Sequence, residues 1–309
     1  MKIGVYSPND FSSLFTKYID GHEWHVNSVP KNVDMIYCAS SSQLQKVFGS
    51  GREPGVPVVC WCWDIPVNWE SWCRNDSELA EHSWRRESVR STISYLKKCD
   101  IVLSASKFTQ RTLLDNGIES KQLYFYVDVD PGLSVKKKDQ VIQVSRFALN
   151  KRFDLTLQAY QSNKNVYEGY DLRFVGIGST DYLKSVSGKR NGITYVSINP
   201  SRDHVLREIA ASSLLVSPSV FEGWGITPIE ALSLGVPVLL SDLEVFREVY
   251  GDIVLYHKKD DIGDYAEKMD FALHSYDYRR DVVRQAKPIL AEFTPEKFAK
   301  RFSFAIGLR

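Results

Sequence analysis

Residues Ser217–Asp242 have the sequence SPSVFEGWGITPIEALSLGVPVLLSD, and this stretch decides the fold class. Apolar and β-branched residues predict strands over Leu214–Ser217 and Val236–Leu240, with a helix over Thr227–Leu234 between them. A strand, a glycine-containing turn, a helix and a second apolar strand are typical of a parallel sheet covered by helices. The stretch therefore predicts an α/β fold.

The loop between the first strand and the helix has the composition of an anion site. It contains Glu222, Gly223, Trp224 and Gly225, and glycines let a backbone approach a ligand closely. The helix N-terminus that follows presents unpaired N–H groups and a positive dipole end, which suits a phosphate. Glu222 at the loop edge and Glu230 within the helix can accept hydrogen bonds from sugar hydroxyls. We therefore expect this segment to bind a diphosphate through its backbone and hydroxyl groups through two glutamates.

Two cations lie at another predicted strand-to-helix turn, in VSRFALNKRFD. Arg146 follows a strand predicted over Val141–Ser145, and Lys151 precedes a helix predicted over Phe153–Gln161. Arginine presents a planar fork to phosphate and lysine a point charge, and open α/β sheets bind ligands at the carboxyl ends of their strands. Taken alone, such a pair is more often two ordinary surface cations, so its interpretation depends on the motifs around it.

Strand–helix alternation extends through the chain on both sides of a Pro131-Gly132 turn and a lysine-rich connection. It predicts two doubly wound domains, residues 1–135 and 139–290, followed by a C-terminal segment, residues 291–309. The further predicted strands are Lys2–Tyr6, Asp34–Ala39, Val56–Trp61, Ile101–Ala105, Leu172–Gly176 and Ile193–Ser197. The further predicted helices are Phe11–Ile19, Ser41–Phe48, Asp76–Lys98, Phe108–Leu114 and His204–Ala211.

The C-terminal segment is predicted to be a helix that packs against the rest of the protein. Thr294 is an N-cap residue and Pro295 takes the first helical position. Phe298, Phe302 and Ile306 recur at helical spacing. An exposed stripe of this kind is unfavourable, so we expect it to be buried.

Composition excludes several function classes. The 309 residues carry 39 basic and 38 acidic side chains, a net charge of +1, which argues against a nucleic-acid partner. Apolar runs are too short to span a bilayer, and the N-terminus lacks a secretory apolar region. The five cysteines, an odd number, indicate reduced thiols and a cytoplasmic protein, with Cys60 and Cys62 buried rather than holding a metal.

In their order and spacing, the motifs of residues 101–256 resemble the retaining glycosyltransferases of the family 4 group. This resemblance implies the GT-B architecture: two Rossmann-like domains face a central cleft, and the C-terminal helix crosses back to the N-terminal domain. Residues 1–135 would then be the acceptor side and 139–290 the nucleotide-sugar domain. The matching motifs are Ser104–Phe108, Arg146 with Lys151, Phe174–Gly178, Glu222 with Glu230, and Ala231 with Gly235–Val238.

The resemblance also implies a reaction and a role for each motif residue. The enzyme would transfer a sugar from a UDP- or GDP-linked donor to an acceptor hydroxyl with retention, without metal or cofactor. Glu222 would be the catalytic residue beside the donor sugar, and Glu230 would bind the ribose. The residues implied to bind the donor are Arg146, Lys151, Gly223, Trp224, Gly225, Ile226, Thr227 and Glu230.

The first domain departs from the family pattern on the acceptor side. The glycine-rich loop after the first strand is replaced by Ser7–Asp10, and Trp63 stands where the family often has a histidine. Asp64 and Trp63 are therefore the candidate acceptor contacts. Five tryptophans lie between residues 61 and 84, and an acceptor platform, a contact with a membrane surface and ordinary packing all fit them.

Other functions stay open from the sequence. The acceptor is a carbohydrate, a lipid or a protein. A protein that binds a sugar nucleotide without catalysis would keep the same cations and glutamates. A sugar-nucleotide epimerase of the same fold would need additional general acids and bases, and the sequence shows no such cluster.

Overall fold

The structure is a computed structural model that describes residues 2–7, 22–26, 28–49, 54–162, 169–178 and 195–307. It contains two compact units: residues 1–128 with 293–309, and residues 129–292. Each unit is built on a six-stranded parallel sheet, so the predicted pair of Rossmann-like domains is confirmed. The helix predicted over residues 11–19 lies outside the described residues.

The sheet of the first unit has the order β2-β1-β3-β4-β5-β6, a doubly wound arrangement. Its strands are β1 (Ile3–Ser7), β2 (His22–Val26), β3 (Met35–Cys38), β4 (Val58–Cys62), β5 (Ile101–Ser104) and β6 (Lys121–Gln122). Its helices are α1 (Leu44–Phe48), α2 (Asp76–Glu81), α3 (Arg85–Leu96), α4 (Lys107–Asp115) and the C-terminal α11 (Pro295–Ala305). The sequence did not predict β2 or β6. Both are edge strands. An edge strand has a neighbouring strand along only one of its two long edges, so it is less enclosed by the sheet and needs fewer apolar residues.

The single long helix predicted over Asp76–Lys98 is wrong, because the chain breaks it into α2 and α3. His82 leaves the helical conformation, with φ −99° and ψ 7°, and its ring Nδ1 lies 3.0 Å from the carbonyl oxygen of Glu78. None of the α2 side chains is fully buried, and in α3 only Leu96 is. Packing therefore does little to hold one continuous helix across the turn.

Helix α11 packs on the first unit through the predicted apolar stripe, which confirms that expectation. Phe298, Phe302 and Ile306 are buried, and Phe302 meets Tyr37 edge-on with ring centroids 4.8 Å apart. Thr294 caps the helix by accepting a hydrogen bond from the backbone of residue 297. The helix is thus an integral part of the unit that contains the N-terminal strands.

The cysteine and tryptophan residues of the first unit are used mainly for packing. Cys60 and Cys62 are completely buried, and burial raises the pKa of the Cys60 thiol, which keeps it protonated. Three of the five clustered tryptophans are also buried: Trp61, Trp69 and Trp72. Packing therefore accounts for these three, while the Trp84 side chain is 58% exposed.

The second unit has the strand order β12-β11-β10-β7-β8-β9. Its strands are β7 (Gln140–Arg146), β8 (Asp171–Ile177), β9 (Tyr195–Ile198), β10 (Leu214–Ser217), β11 (Val238–Ser241) and β12 (Leu255–His257). Its helices are α5 (Phe153–Ser162), α6 (Arg202–Ala211), α7 (Ile226–Ser233), α8 (Glu244–Tyr250), α9 (Ile262–His274) and α10 (Tyr276–Leu290). Within the described ranges of both units, no helix combines the length and apolarity needed to cross a bilayer.

The direction of sheet growth in the second unit reverses between β7 and β10. From β7 the sheet grows through β8 to β9 on one side and from β10 through β11 to β12 on the other. At such a reversal the loops after the two central strands turn to opposite faces of the sheet and leave a crevice at the carboxyl ends. The residues after β7 and β10 therefore lie where open α/β sheets bind ligands.

We predict that the buried stripe of α11 contributes strongly to the stability of the first unit. Phe302→Ala should lower the free energy of unfolding by about 3–5 kcal/mol, because it empties a buried aromatic site. Phe304→Ala, on the same helix but 86% exposed, should change it by less than about 0.5 kcal/mol. Urea unfolding followed by tryptophan fluorescence measures both, and equal effects of the two substitutions would contradict the docked helix.

Candidate active site

Lys151 is held in place by its backbone. It ends a 3-10 turn, Leu149–Lys151, that follows β7. Gln143, a polar residue buried in β7, donates its Nε2–H to the Lys151 carbonyl oxygen at 2.6 Å. The Gln143 side-chain oxygen in turn accepts a hydrogen bond from Thr156 at 2.7 Å. A satisfied buried network of this kind fixes the position from which the lysine side chain projects.

The residue after Lys151 fixes the same turn by a second means. Arg152 has a left-handed backbone, with φ 48°, and its side chain is buried. Its guanidinium lies 3.1 Å from the Asp154 carboxylate and also pairs with Asp260. Left-handed backbone is unfavourable for arginine, so these ion pairs stabilise a conformation that the chain would otherwise leave.

Lys151 and Glu222 form an ion pair, although the sequence assigned them to different parts of the donor. Lys151 Nζ lies 2.6 Å from Glu222 Oε1, and the two side chains are 10% and 15% exposed. Ser219 donates its hydroxyl to the same carboxylate oxygen at 2.8 Å. A pair this poorly exposed is screened less by salt than a surface pair. The crevice thus brings a cation and a carboxylate into direct contact.

The loop that carries Glu222 is attached to the lysine turn by its backbone. The Val220 N–H donates to the Asn150 carbonyl oxygen at 2.9 Å, and Asn150 Nδ2 donates to the Phe221 carbonyl oxygen at 3.2 Å. Asn150 is itself buried and immediately precedes Lys151. The segments after β7 and β10 therefore form one connected structure.

Gly225 allows the loop to enter α7. It has φ 89°, and a Cβ built on it would lie 2.5 Å from a ring carbon of Phe246, so only glycine fits. As the N-cap it supplies no side-chain acceptor to the first turn, where Ile226 and Thr227 stand. Pro228 has no N–H, so the N–H groups of Ile226 and Thr227 are the donors that this end offers an anion.

Tyr250, at the end of α8, is hydrogen-bonded to the same glycine. Its hydroxyl donates to the Gly225 carbonyl oxygen at 3.4 Å. Burial, together with nearby Tyr256 and the carboxylates of Glu222 and Glu230, raises the pKa of Tyr250 well above its ordinary value. The phenol therefore stays protonated and acts as a donor.

Glu230, implied to bind ribose hydroxyls, is buried within α7 and lies beside a cation that the sequence analysis missed. Arg202 Nη2, at the start of α6, lies 2.5 Å from Glu230 Oε1. The Glu230 side chain is 3% exposed and that of Arg202 is 32% exposed. A ligand that reaches the carboxylate must therefore share it with Arg202 or displace the guanidinium.

Arg146 differs from Lys151 in being open to solvent. It is the last residue of β7 and is exposed, and among the described residues no ion pair holds its guanidinium. Strand β8 lies close beside it: Gly176, within β8, is paired with Ser145, and a Cβ on this glycine would lie 1.9 Å from the Ser145 carbonyl oxygen. The glycine therefore permits tight packing of β8 against β7, one residue before Arg146.

The other predicted donor-binding residues lie in the loop of Glu222, but not all of them offer a side chain. Trp224 is 2% exposed and its indole packs inside the unit, so its side chain presents no surface to a ligand. Gly223 is likewise buried. On the first unit, Trp63 and Asp64 follow β4 and are half-buried. Their assignment to an acceptor stays a prediction.

Sequence reasoning missed Gln143, Asn150, Ser219 and Arg202. A signal existed for Gln143, because this polar residue interrupts an apolar strand. Asn150 and Ser219 lie in turns and Arg202 begins a helix, and polar residues are ordinary at both kinds of position. Their roles depend on which strands are neighbours in the sheet.

We predict that Gly225→Ala damages the second unit more than Gly235→Ala. Both glycines have positive φ, but a Cβ at Gly235 meets nothing within 4 Å, whereas at Gly225 it meets Phe246. Both variants should lose about 1 kcal/mol through the backbone, and the overpacking at Gly225 should add about 1–3 kcal/mol. Equal unfolding midpoints for the two variants in urea would contradict the tight contact with Phe246.

Sequence comparisons with known proteins give a matching family and curated relatives. The model of the family "Glycosyl transferases group 1" matches residues 128–288, which is 161 of the 309 residues. O-antigen chain mannosyltransferase RfbU of Salmonella typhimurium is 29% identical over 181 residues, covering 54% of this chain and 49% of the relative. An uncharacterized glycosyltransferase of Methanocaldococcus jannaschii is 25% identical over 157 residues, covering 48% of this chain and 39% of the relative. The chain thus spans about half or less of the curated relatives that it matches.

Solved structures identify the fold. Anabaena HepE, crystallised with UDP-glucose, superposes with a TM-score of 0.78 at 14% identity, over 99% of both chains. The sucrose-phosphate synthase of Thermosynechococcus elongatus superposes with a TM-score of 0.74 at 14% identity, over 89% of this chain and 73% of the other. These likenesses and the two parallel sheets give the protein the GT-B fold. Since the family model covers more than half of the sequence, the chain belongs to the group 1 glycosyltransferases.

Proposed function

We propose that this protein transfers a glycosyl group from a nucleoside diphosphate sugar to an acceptor hydroxyl, with retention at the anomeric carbon and without a metal. The observation that carries the proposal is the contact of Lys151 with Glu222 at the β7–β10 crevice. In this contact a cation that can neutralise a departing phosphate lies beside a carboxylate that can stabilise positive charge on a sugar. Family membership supports the reaction class.

The leaving group determines what the cations do. As the bond to the sugar breaks, negative charge grows on the β-phosphate oxygen, and positive charge grows on the sugar ring. Lys151, exposed Arg146 and the N–H groups at the start of α7 are groups of the right sign for the phosphate. Because the fold fixes the backbone from which these groups project, little reorganisation of the chain is needed when the charge develops, and we propose that they take the place of a metal ion.

Glu222 is suited to the positive charge that develops on the sugar ring. We propose that its carboxylate stabilises the oxocarbenium-like sugar from the side that faces the loop. A diphosphate that reaches Lys151 competes with Glu222 for the ammonium, since both anions need the same donor. Donor binding then frees the carboxylate for the sugar, which couples the two halves of the site.

Glu230 and the acceptor residues complete the proposal. Glu230 accepts hydrogen bonds from the ribose hydroxyls, while Arg202 keeps its charge balanced.

Trp63 and Asp64 contact the acceptor. A carbohydrate acceptor is favoured over a lipid or a protein, because the relative from Salmonella is described as an O-antigen chain mannosyltransferase. The donor is UDP- or GDP-linked, and the HepE complex with UDP-glucose supports the former.

We place the reaction in the cytoplasm, which would keep the five cysteines reduced. A membrane contact, if the acceptor requires one, would involve Trp84, which is 58% exposed and has the Arg85 guanidinium 4.8 Å from its ring centroid.

We predict that Lys151→Met abolishes most of the activity. Release of nucleoside diphosphate from a panel of UDP- and GDP-sugars, with and without acceptor sugars, should fall about 10²–10³-fold in kcat/KM, because one preorganised charge is lost. Lys138→Met removes an exposed lysine that precedes the amino end of β7, at the edge of the sheet opposite the crevice, and should leave the rate unchanged. A chelator should change the rate less than about twofold, and NMR of the product should show the anomeric configuration of the donor.

The same assay separates the alternatives. A non-catalytic sugar-nucleotide-binding protein would raise its melting temperature with donor but release no nucleoside diphosphate. An epimerase would interconvert the donor sugars without releasing diphosphate. Either result, or equal activity of Lys151→Met and Lys138→Met, would overturn the proposed function.

A further inference from the structure

Glu222 Oε1 receives two hydrogen bonds, from donors of different kinds. One comes from the Lys151 ammonium at 2.6 Å and the other from the Ser219 hydroxyl at 2.8 Å. The lysine donor stands at the end of a flexible four-carbon stem, whereas Ser219 is on a short side chain that is 2% exposed. Only the serine is therefore confined to its place beside the carboxylate.

Among the residues that the structure describes, the Ser219 hydroxyl has one competing partner, and the distances favour Glu222. Ser217 Oγ lies 3.4 Å from Ser219 Oγ, beyond the usual range of about 2.5–3.0 Å for a hydrogen bond between two oxygens. A bond from a hydroxyl to a carboxylate is also stronger than a bond between two hydroxyls. Ser219 is thus committed to the carboxylate.

The backbone beneath Ser219 is fixed as well. The next residue, Val220, donates its N–H to the Asn150 carbonyl oxygen, and the following carbonyl, of Phe221, accepts from the Asn150 side chain. These bonds hold the loop between Ser219 and Glu222 to the turn that carries Lys151. Ser219 therefore sits on a rigid support.

We infer that Ser219 is the positioning residue that keeps the Glu222 carboxylate aimed at the sugar after Lys151 has turned to the diphosphate. The inference rests on the proposed function. When the ammonium binds phosphate, Glu222 loses the stronger of its two donors, and the Ser219 hydroxyl restrains the rotation of the carboxylate. Ser219 touches neither sugar nor phosphate and acts only through Glu222.

The test is a double-mutant cycle on kcat with Ser219→Ala and Glu222→Gln. Ser219→Ala should lower kcat for diphosphate release about tenfold and change the KM for the donor less than twofold, because the donor-binding cations are untouched. In the Glu222→Gln background, the same substitution should change kcat less than twofold. Ser217→Ala, which removes the neighbouring hydroxyl, is the matched control and should leave kcat within twofold of the unmodified protein.

The outcomes separate the inference from the function on which it rests. An unmodified protein that releases no diphosphate contradicts the proposed function. If the unmodified protein is active, three results overturn the role of Ser219: unchanged kcat in Ser219→Ala, equal losses in both backgrounds, or a loss confined to donor KM. Melting temperatures measured for all variants identify a general destabilisation, which would lower the activity of both backgrounds equally.

Discussion

The contact between Lys151 and Glu222 is the interaction on which the site depends. It joins two segments that are 71 residues apart in the chain, in an environment where both side chains are largely buried. Neither charge is fully hydrated there, so each needs a partner. In the proposed function, a diphosphate would replace Glu222 as the partner of the lysine and leave the carboxylate free for the positive charge of a sugar. Donor binding and bond cleavage would then depend on the same pair of charges.

The fold makes this contact possible by its strand order. In the second unit β7 and β10 are adjacent, and the loops after them meet at one edge of the sheet. The Gln143 network below Lys151 and the contacts of Asn150 join the two loops by hydrogen bonds. Gly225 then bends the chain into α7 with its N–H groups open. In the proposed reaction, each of these features would reduce the reorganisation that charge development otherwise requires.

The sequence was sufficient to predict the alternation of strands and helices, because apolar periodicity is local. It also gave Glu222, Glu230 and the two cations as candidate site residues, since their order and spacing resemble those of the family motif, and their roles stay predictions. It was not sufficient for the ion pair or for the position of Ser219, because these follow from the neighbour relations of strands distant in the chain. The break at His82 was missed for a different reason: composition favours a helix on both sides, and the break shows only in the backbone conformation of His82, where few side chains are buried to hold one continuous helix.

A crystal structure with a nucleoside diphosphate bound would test the central claim most directly, through the distances from Lys151 Nζ to the phosphate oxygens and to Glu222. We expect Nζ within about 3.2 Å of a β-phosphate oxygen, with the Ser219 hydroxyl still bonded to Glu222. If the lysine kept its bond to Glu222 while the diphosphate was held elsewhere, the account of the site given above would be wrong.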